Sequence, residues 1–107
     1  MCRAWSGGPA FVAVVDGIEF EGGAISRYQS SSWGERGFCA RCGSNLFYRL
    51  KKSDRYYVSM GAFEDQTHFE LADEIYIEEK PSAYDFVGHH PRLTREEFLA
   101  SLQPGET

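Results

Sequence analysis

The sequence predicts a mainly β domain closed by one C-terminal helix, and three observations carry that expectation. Short runs rich in β-branched and aromatic residues recur between Gly, Asp and Ser punctuation; a single segment has helical grammar; and a Cys-x-x-Cys-Gly pattern joins two of the strand-like runs.

Taken in order, Phe11 to Val15 is a β-branched run stopped by Asp16-Gly17, and Ile18 to Phe20 then reads as a second short strand across that turn. Ala24 to Gln29 is another extended candidate, and Ser30 to Gly34 a polar loop. Arg36 to Leu50 reads RGFCARCGSNLFYRL, two strand-like segments on either side of a tight turn. Arg55 to Met60 and Glu74 to Glu78 are further strands by their Tyr, Val and Ile content, with Gly61 to Asp73 a loop between them. Pro81 and the Tyr84-Asp85-Phe86 triplet suit a closing edge, where no ladder donor is needed. Thr94 and Glu97 form a capping box before Phe98, Leu99 and Leu102, which predicts a helix from about Thr94 to Gln103, stopped by Pro104-Gly105.

With 107 residues, 42% of them hydrophobic, the chain is expected to be a single domain over residues 1–107. Its 16 acidic against 11 basic residues give a formal net charge of -5, which disfavours nucleic acid and anionic membrane surfaces as partners. No apolar run approaches bilayer length and the N-terminus has no leader composition, so the expected location is cytoplasmic.

Cys2, Cys39 and Cys42 are too few and too uneven for a disulfide framework and read as metal ligands or redox thiols. In Cys39-Ala-Arg-Cys42-Gly43, two thiolates two residues apart can grip one Zn²⁺ from a knuckle, with Gly43 supplying a positive backbone dihedral. A redox pair would sit at the start of a helix, whereas strand-like residues follow here; a redox dithiol and two inert thiols remain the other readings. One such pair supplies two ligands where a structural zinc uses four. His89 and His90, adjacent in a loop beside Pro91, and His68 in a polar stretch are expected to be solvent-exposed.

Three stretches together resemble one family. MCRAWSGGPAF is similar to the end of a CxCxxC motif with its following CR and Ser-Gly, RGFCARCGSNLFYR to a second metal motif, and YYVSMGAFED with IYIEEKPSAYDF to closing strands. The resemblance, running from Cys2 to about Phe86, is to the glutathione-dependent formaldehyde-activating enzymes, a family that includes the centromere protein V group. It implies several coiled antiparallel β-sheets with a zinc-ribbon-like CxxC knuckle, a structural zinc and a catalytic zinc. Cys39 and Cys42 match the structural CxxC, and Cys2 matches the last cysteine of the catalytic trio.

The family's remaining cysteines would lie upstream of Met1, so the expectation is a start placed inside the CxCxxC motif, with loss of the metal the other reading. The implied activity is carbon–sulfur lyase chemistry on glutathione and formaldehyde or a related small thiol adduct, with zinc as cofactor. Because three cysteines cannot complete either site, this chain alone is expected to bind less metal than a complete member and to lack lyase activity. Arg3 could meet an anionic substrate, although a solvated arginine is the commoner outcome. A non-enzymatic zinc-binding or interaction module is the alternative. A homodimer is expected, with Phe11 to Val15 as the apolar edge exposed to a second copy.

Overall fold

The computed structural model describes residues 2–16, 18–21 and 23–102. They fall into two compact units, the first running to Thr67 and the second starting at His68.

The first unit is a five-stranded antiparallel sheet preceded by one short helix, α1 (Cys2–Ser6). The strands are β1 (Val12–Val15), β2 (Ile25–Tyr28), β3 (Gly34–Cys39), β4 (Asn45–Leu50) and β5 (Arg55–Ser59), in the spatial order β1-β5-β4-β3-β2. β4 is central and supplies two of the most buried apolar side chains, Phe47 at 0% and Leu50 at 7% exposure; Val58 on β5, paired with Phe47, is 2% exposed. Phe20 and Tyr56 close over Phe47, with ring centroids 4.8 and 5.1 Å away, and the Arg27 guanidinium lies 5.0 Å from the same ring.

β3 is compositionally a poor strand, with two glycines in GERGFC, yet it pairs on both sides. Its glycines are explained by β4. Gly37 stands opposite Phe47, and a Cβ there would collide with the Phe47 ring; one at Gly34 would strike the Tyr48 ring. Register shifts between Gly37 and Phe38, a bulge of the kind that re-aims the side chains beyond it.

β1 and β2 are the sheet edges. On β1, Val12 and Val14 are 46% and 55% exposed, and the preceding Phe11 is 42% exposed. The predicted hairpin between Phe11–Val15 and Ile18–Phe20 is not formed: β1 pairs with β5, and residues 18–20 are irregular because the Phe20 ring is spent on Phe47 and Tyr56. Nor do the strands of the described residues make several sheets; they make one. α1 had no helical signal in the sequence. It is held to the sheet by Asn45, whose Nδ2 donates to the Trp5 carbonyl at 3.1 Å.

The second unit has one helix, α2 (Arg95–Ser101), and no strand among its described residues. The predicted strand at Glu74 to Glu78 reduces to an isolated bridge between Glu74 and Arg92, followed by a 3₁₀ turn at Ile77–Glu79 entered through Tyr76 at φ 53°. The Pro81 to Phe86 segment is likewise irregular; Tyr84 and Phe86 stack on each other at 5.5 Å, and Lys80 donates to the Tyr84 carbonyl. α2 starts where the capping box places it and stops at Ser101, with Leu102 as its C-cap; Gln103 and the Pro104-Gly105 stop lie outside the described residues. Among the described residues no helix is long and apolar enough to cross a membrane.

The capping box is complete in both directions. Glu97 N–H donates to Thr94 Oγ1 at 3.1 Å and Thr94 N–H to Glu97 Oε1 at 3.0 Å. The second bond, with the Thr94 hydroxyl adding to it, holds the Glu97 carboxyl below the usual glutamate range. A depressed carboxylate contributes above its unfolded pKa, about 4.3, and that contribution is lost as the pH falls through the folded value. Thr94→Ala removes the hydroxyl cap and is expected to cost about 1 kcal/mol of local helix stability, whereas the Glu97 bond to the Thr94 N–H survives that substitution and weakens in both proteins below about pH 4. Amide exchange at Glu97 and Phe98 reads both effects, and equal protection in the two proteins at neutral pH would refute the cap's role.

Candidate functional site

The Cys39 to Gly43 segment is a turn between β3 and β4 held by three backbone hydrogen bonds. Cys39 N–H donates to the Ser44 carbonyl at 2.8 Å, Gly43 N–H to the Cys39 carbonyl at 2.8 Å, and Ala40 N–H to the Ala24 carbonyl at 2.9 Å. Gly43 has φ 80°, the left-handed region that a side chain would disfavour. The turn places Cys39 and Cys42 at its two sides, and Cys42 Sγ lies 3.1 Å from Ser44 Oγ. Bonding from the Ser44 hydroxyl, then from the Ser44 backbone and the Cys39 thiol, draws the Cys42 thiol below its ordinary range. Cys42 is exposed and Cys39 half-buried.

Cys39 also lines a cleft of about 590 Å³. Its walls are largely apolar, with Ile18, Phe20, Ile25, Leu46, Val58 and Phe63 the largest apolar side chains. Glu19, Glu21 and Glu64 are the charged groups among the described lining residues, and no basic side chain joins them. An apolar or neutral small molecule suits such a lining better than a polyanion.

Cys2 lies in a different setting. It is exposed on α1, and the Arg36 Nη1 donates to its sulfur at 3.4 Å. Arg36 itself is 4% exposed, clasped between the rings of Trp5 and Tyr48 with its guanidinium carbon 5.0 and 4.8 Å from their centroids. Burial raises the Tyr48 phenol above its usual range, opposed by the Arg36 cation, so Tyr48 is a neutral wall.

Sequence reasoning missed this cluster. An arginine between Glu35 and Gly37 reads as a surface charge, and Trp5 and Tyr48 come from distant parts of the chain. The one available signal was the side-chain alternation along β3, which puts Arg36 on the face opposite its neighbours Glu35 and Gly37.

The histidines do not join the thiols. His68 and His89 are exposed, as expected. His90 is not: its side chain is 6% exposed, with Nε2 2.6 Å from Glu74 Oε2. Glu74 also accepts from Arg92 Nε at 2.9 Å, and that carboxylate is what draws a loop histidine inward.

The donor set can be compared directly with what zinc requires. Two adjacent thiols from a knuckle are suitable soft ligands, but a closed site uses four. Cys2, the third candidate ligand, is bonded to a guanidinium. Among the described residues no group of three or more His, Cys, Asp or Glu is placed to hold a metal ion. The described residues therefore fit half a zinc site and not a whole one.

No family model matches the chain. It is similar to an uncharacterized lyase of Schizosaccharomyces pombe, at 28% identity over an alignment of 104 positions that covers 94% of this chain and 76% of that protein.

Proposed function

We propose that this chain carries the scaffold of a carbon–sulfur lyase of the glutathione-dependent formaldehyde-activating type, acting on glutathione and formaldehyde or on a related small thiol adduct. The carrying observation is the Cys39–Cys42 pair on the β3–β4 turn, with Cys39 lining a largely apolar cleft large enough for a small adduct. Likeness to a protein named as a lyase over nearly the whole chain supports the reaction class.

The reaction is a reversible addition. A thiol S–H adds across an aldehyde C=O: the sulfur–carbon bond forms, the carbonyl π bond opens and the proton ends on oxygen. In the reverse direction the S–C bond breaks and the thiol is returned. The cleft's part is to hold the adduct's apolar portion against its walls, and within the proposed class its three glutamates favour a related neutral thiol adduct over that of glutathione, which bears two carboxylates. Cys39 and Cys42 would supply two of a zinc ion's ligands, and the other two come from outside the described residues in this reading.

The test measures zinc per chain and the exchange of ¹³C-formaldehyde with glutathione by NMR. Both are followed for the 107-residue chain and for a form extended through any upstream coding sequence. The 107-residue chain is expected to hold less than one zinc and to leave the exchange at its spontaneous rate. The extended form should hold zinc and accelerate the exchange, and Cys39→Ser with Cys42→Ser should abolish its structural zinc. An extended form that binds zinc without accelerating exchange of any thiol adduct would leave the non-enzymatic zinc-binding module as the function.

A further inference from the structure

We infer that Cys2 and Arg36 form a second thiol site, separate from the Cys39–Cys42 turn, that takes a small electrophile carrying a carboxylate.

The observation behind it is a buried positive charge without a counter-ion. Arg36 is 4% exposed, and no ion pair joins it to a carboxylate among the described residues, whereas Arg27, Arg49 and Arg92 each meet one. A buried guanidinium is costly unless its charge is met. Here two aromatic faces meet part of it, from Trp5 at 5.0 Å and Tyr48 at 4.8 Å. Its remaining donors are poorly served: Nη1 reaches only the Cys2 sulfur at 3.4 Å, and Nε is buried with no partner at all. Tyr48, kept neutral by burial, adds no negative charge.

The Cys2 thiol is exposed and accepts from this guanidinium, so the positive charge lies next to a solvent-facing sulfur. This is a nucleophile next to an anion-attracting group, on a chain whose net charge of -5 repels anions elsewhere. Cys42 provides the internal contrast, since its thiol meets the Ser44 hydroxyl and no cation is among the groups that shift it. The matching ligand is a small carbonyl acid. Its carboxylate is drawn to the guanidinium, and the Cys2 S–H adds across its C=O. One S–C bond forms, the carbonyl π bond opens, and the sulfur's proton passes to the oxygen, with no further reactant. The inference does not depend on zinc or on the lyase reading.

The test compares two alkylating reagents of one mechanism, the anionic iodoacetate and the neutral iodoacetamide, on the chelator-treated folded chain, with each cysteine resolved by mass spectrometry. One unit charge about 4 Å away with the screening of bulk water, as suits an exposed thiol, predicts an iodoacetate-to-iodoacetamide rate ratio at Cys2 about fivefold above that at Cys42, falling toward unity in molar salt. Unfolding in urea should erase the difference. Arg36→Lys should retain part of the preference and Arg36→Met lose it; the wild-type comparison decides the matter even where these variants fold poorly. Preincubation with glyoxylate should slow iodoacetamide labelling of Cys2 more than an equal concentration of acetaldehyde. Equal ratios at Cys2 and Cys42, or equal protection by the two aldehydes, would overturn the inference.

Discussion

Phe47→Ala is expected to destabilise the sheet by about 3–5 kcal/mol. Phe47 has no exposed surface, and its ring is the meeting point of Phe20, Tyr56 and the Arg27 guanidinium. The space left by the ring has little that can collapse into it. On one side is Gly37, which has no side chain to move, and on the partner strand is Val58, already 2% exposed. Against a typical total of about 5–15 kcal/mol, that loss removes a large part of the fold's margin. Urea denaturation should show the midpoint falling with an unchanged slope, and Phe47→Leu should fall much less because it keeps most of the volume. A loss under about 1 kcal/mol for the alanine variant would mean that the ring is not the centre of the core.

The parts of this architecture that the sequence discloses are those whose chemistry is local. Cys39 to Gly43 is a tight turn because a glycine in the left-handed region is required within a few residues of the thiols, and the Thr94–Glu97 cap closes within four residues of chain. β5 and β4 are visible from their Tyr, Val and Phe content. What the sequence could not show depends on partners far along the chain. Ile18–Phe20 and Ile25–Tyr28 look equally strand-like, and what separates them is that β2 finds β3 while Phe20 finds a ring to cover. Glu74 to Glu78 has strand composition but meets only Arg92, so it ends as a bridge and a 3₁₀ turn.

The same division holds for the site. That Cys39 and Cys42 share one turn follows from spacing alone, whereas the Arg36 cluster needs Cys2 and Trp5 brought 31 or more positions along the chain to β3 and is invisible without the fold. The resemblance grouped Cys2 with a metal trio, and in the structure its sulfur is bonded to a guanidinium. That difference is what separates two kinds of thiol in one small chain: a pair whose neighbours are hydroxyl and thiol, and a single one next to a cation.

In the second unit, Glu74→Ala is expected to cost about 1.5–3 kcal/mol of local stability, the usual worth of hydrogen bonds to a charged group. One carboxylate oxygen, Glu74 Oε2, serves both His90 Nε2 at 2.6 Å and Arg92 Nε at 2.9 Å. An ionised carboxylate can only accept, so the imidazole donates from Nε2. With side chains 9% and 6% exposed, Glu74 and His90 have little water to replace each other. Arg92, at 40% side-chain exposure, can turn to solvent and also keeps its bonds to the Phe86 and Gly88 carbonyls, so most of the loss falls on His90. The backbone around this carboxylate is the only ladder-like pairing the unit's described residues possess. Glu74 N–H donates to the Pro91 carbonyl at 2.9 Å, Leu93 N–H to the Glu74 carbonyl at 2.8 Å, and Ile77 N–H to the Leu93 carbonyl at 3.0 Å. Loosening the side-chain clasp should therefore open these three bonds together. Amide exchange at residues 74, 77 and 93 is expected to accelerate by about 10- to 150-fold in Glu74→Ala, which is the same free energy expressed as an opening equilibrium. Glu74→Gln keeps an acceptor oxygen for His90 and should recover part of the protection. If the three amides exchange in Glu74→Ala as slowly as in wild type, the clasp is not what holds residues 74–93 together, and the backbone pairing stands without it.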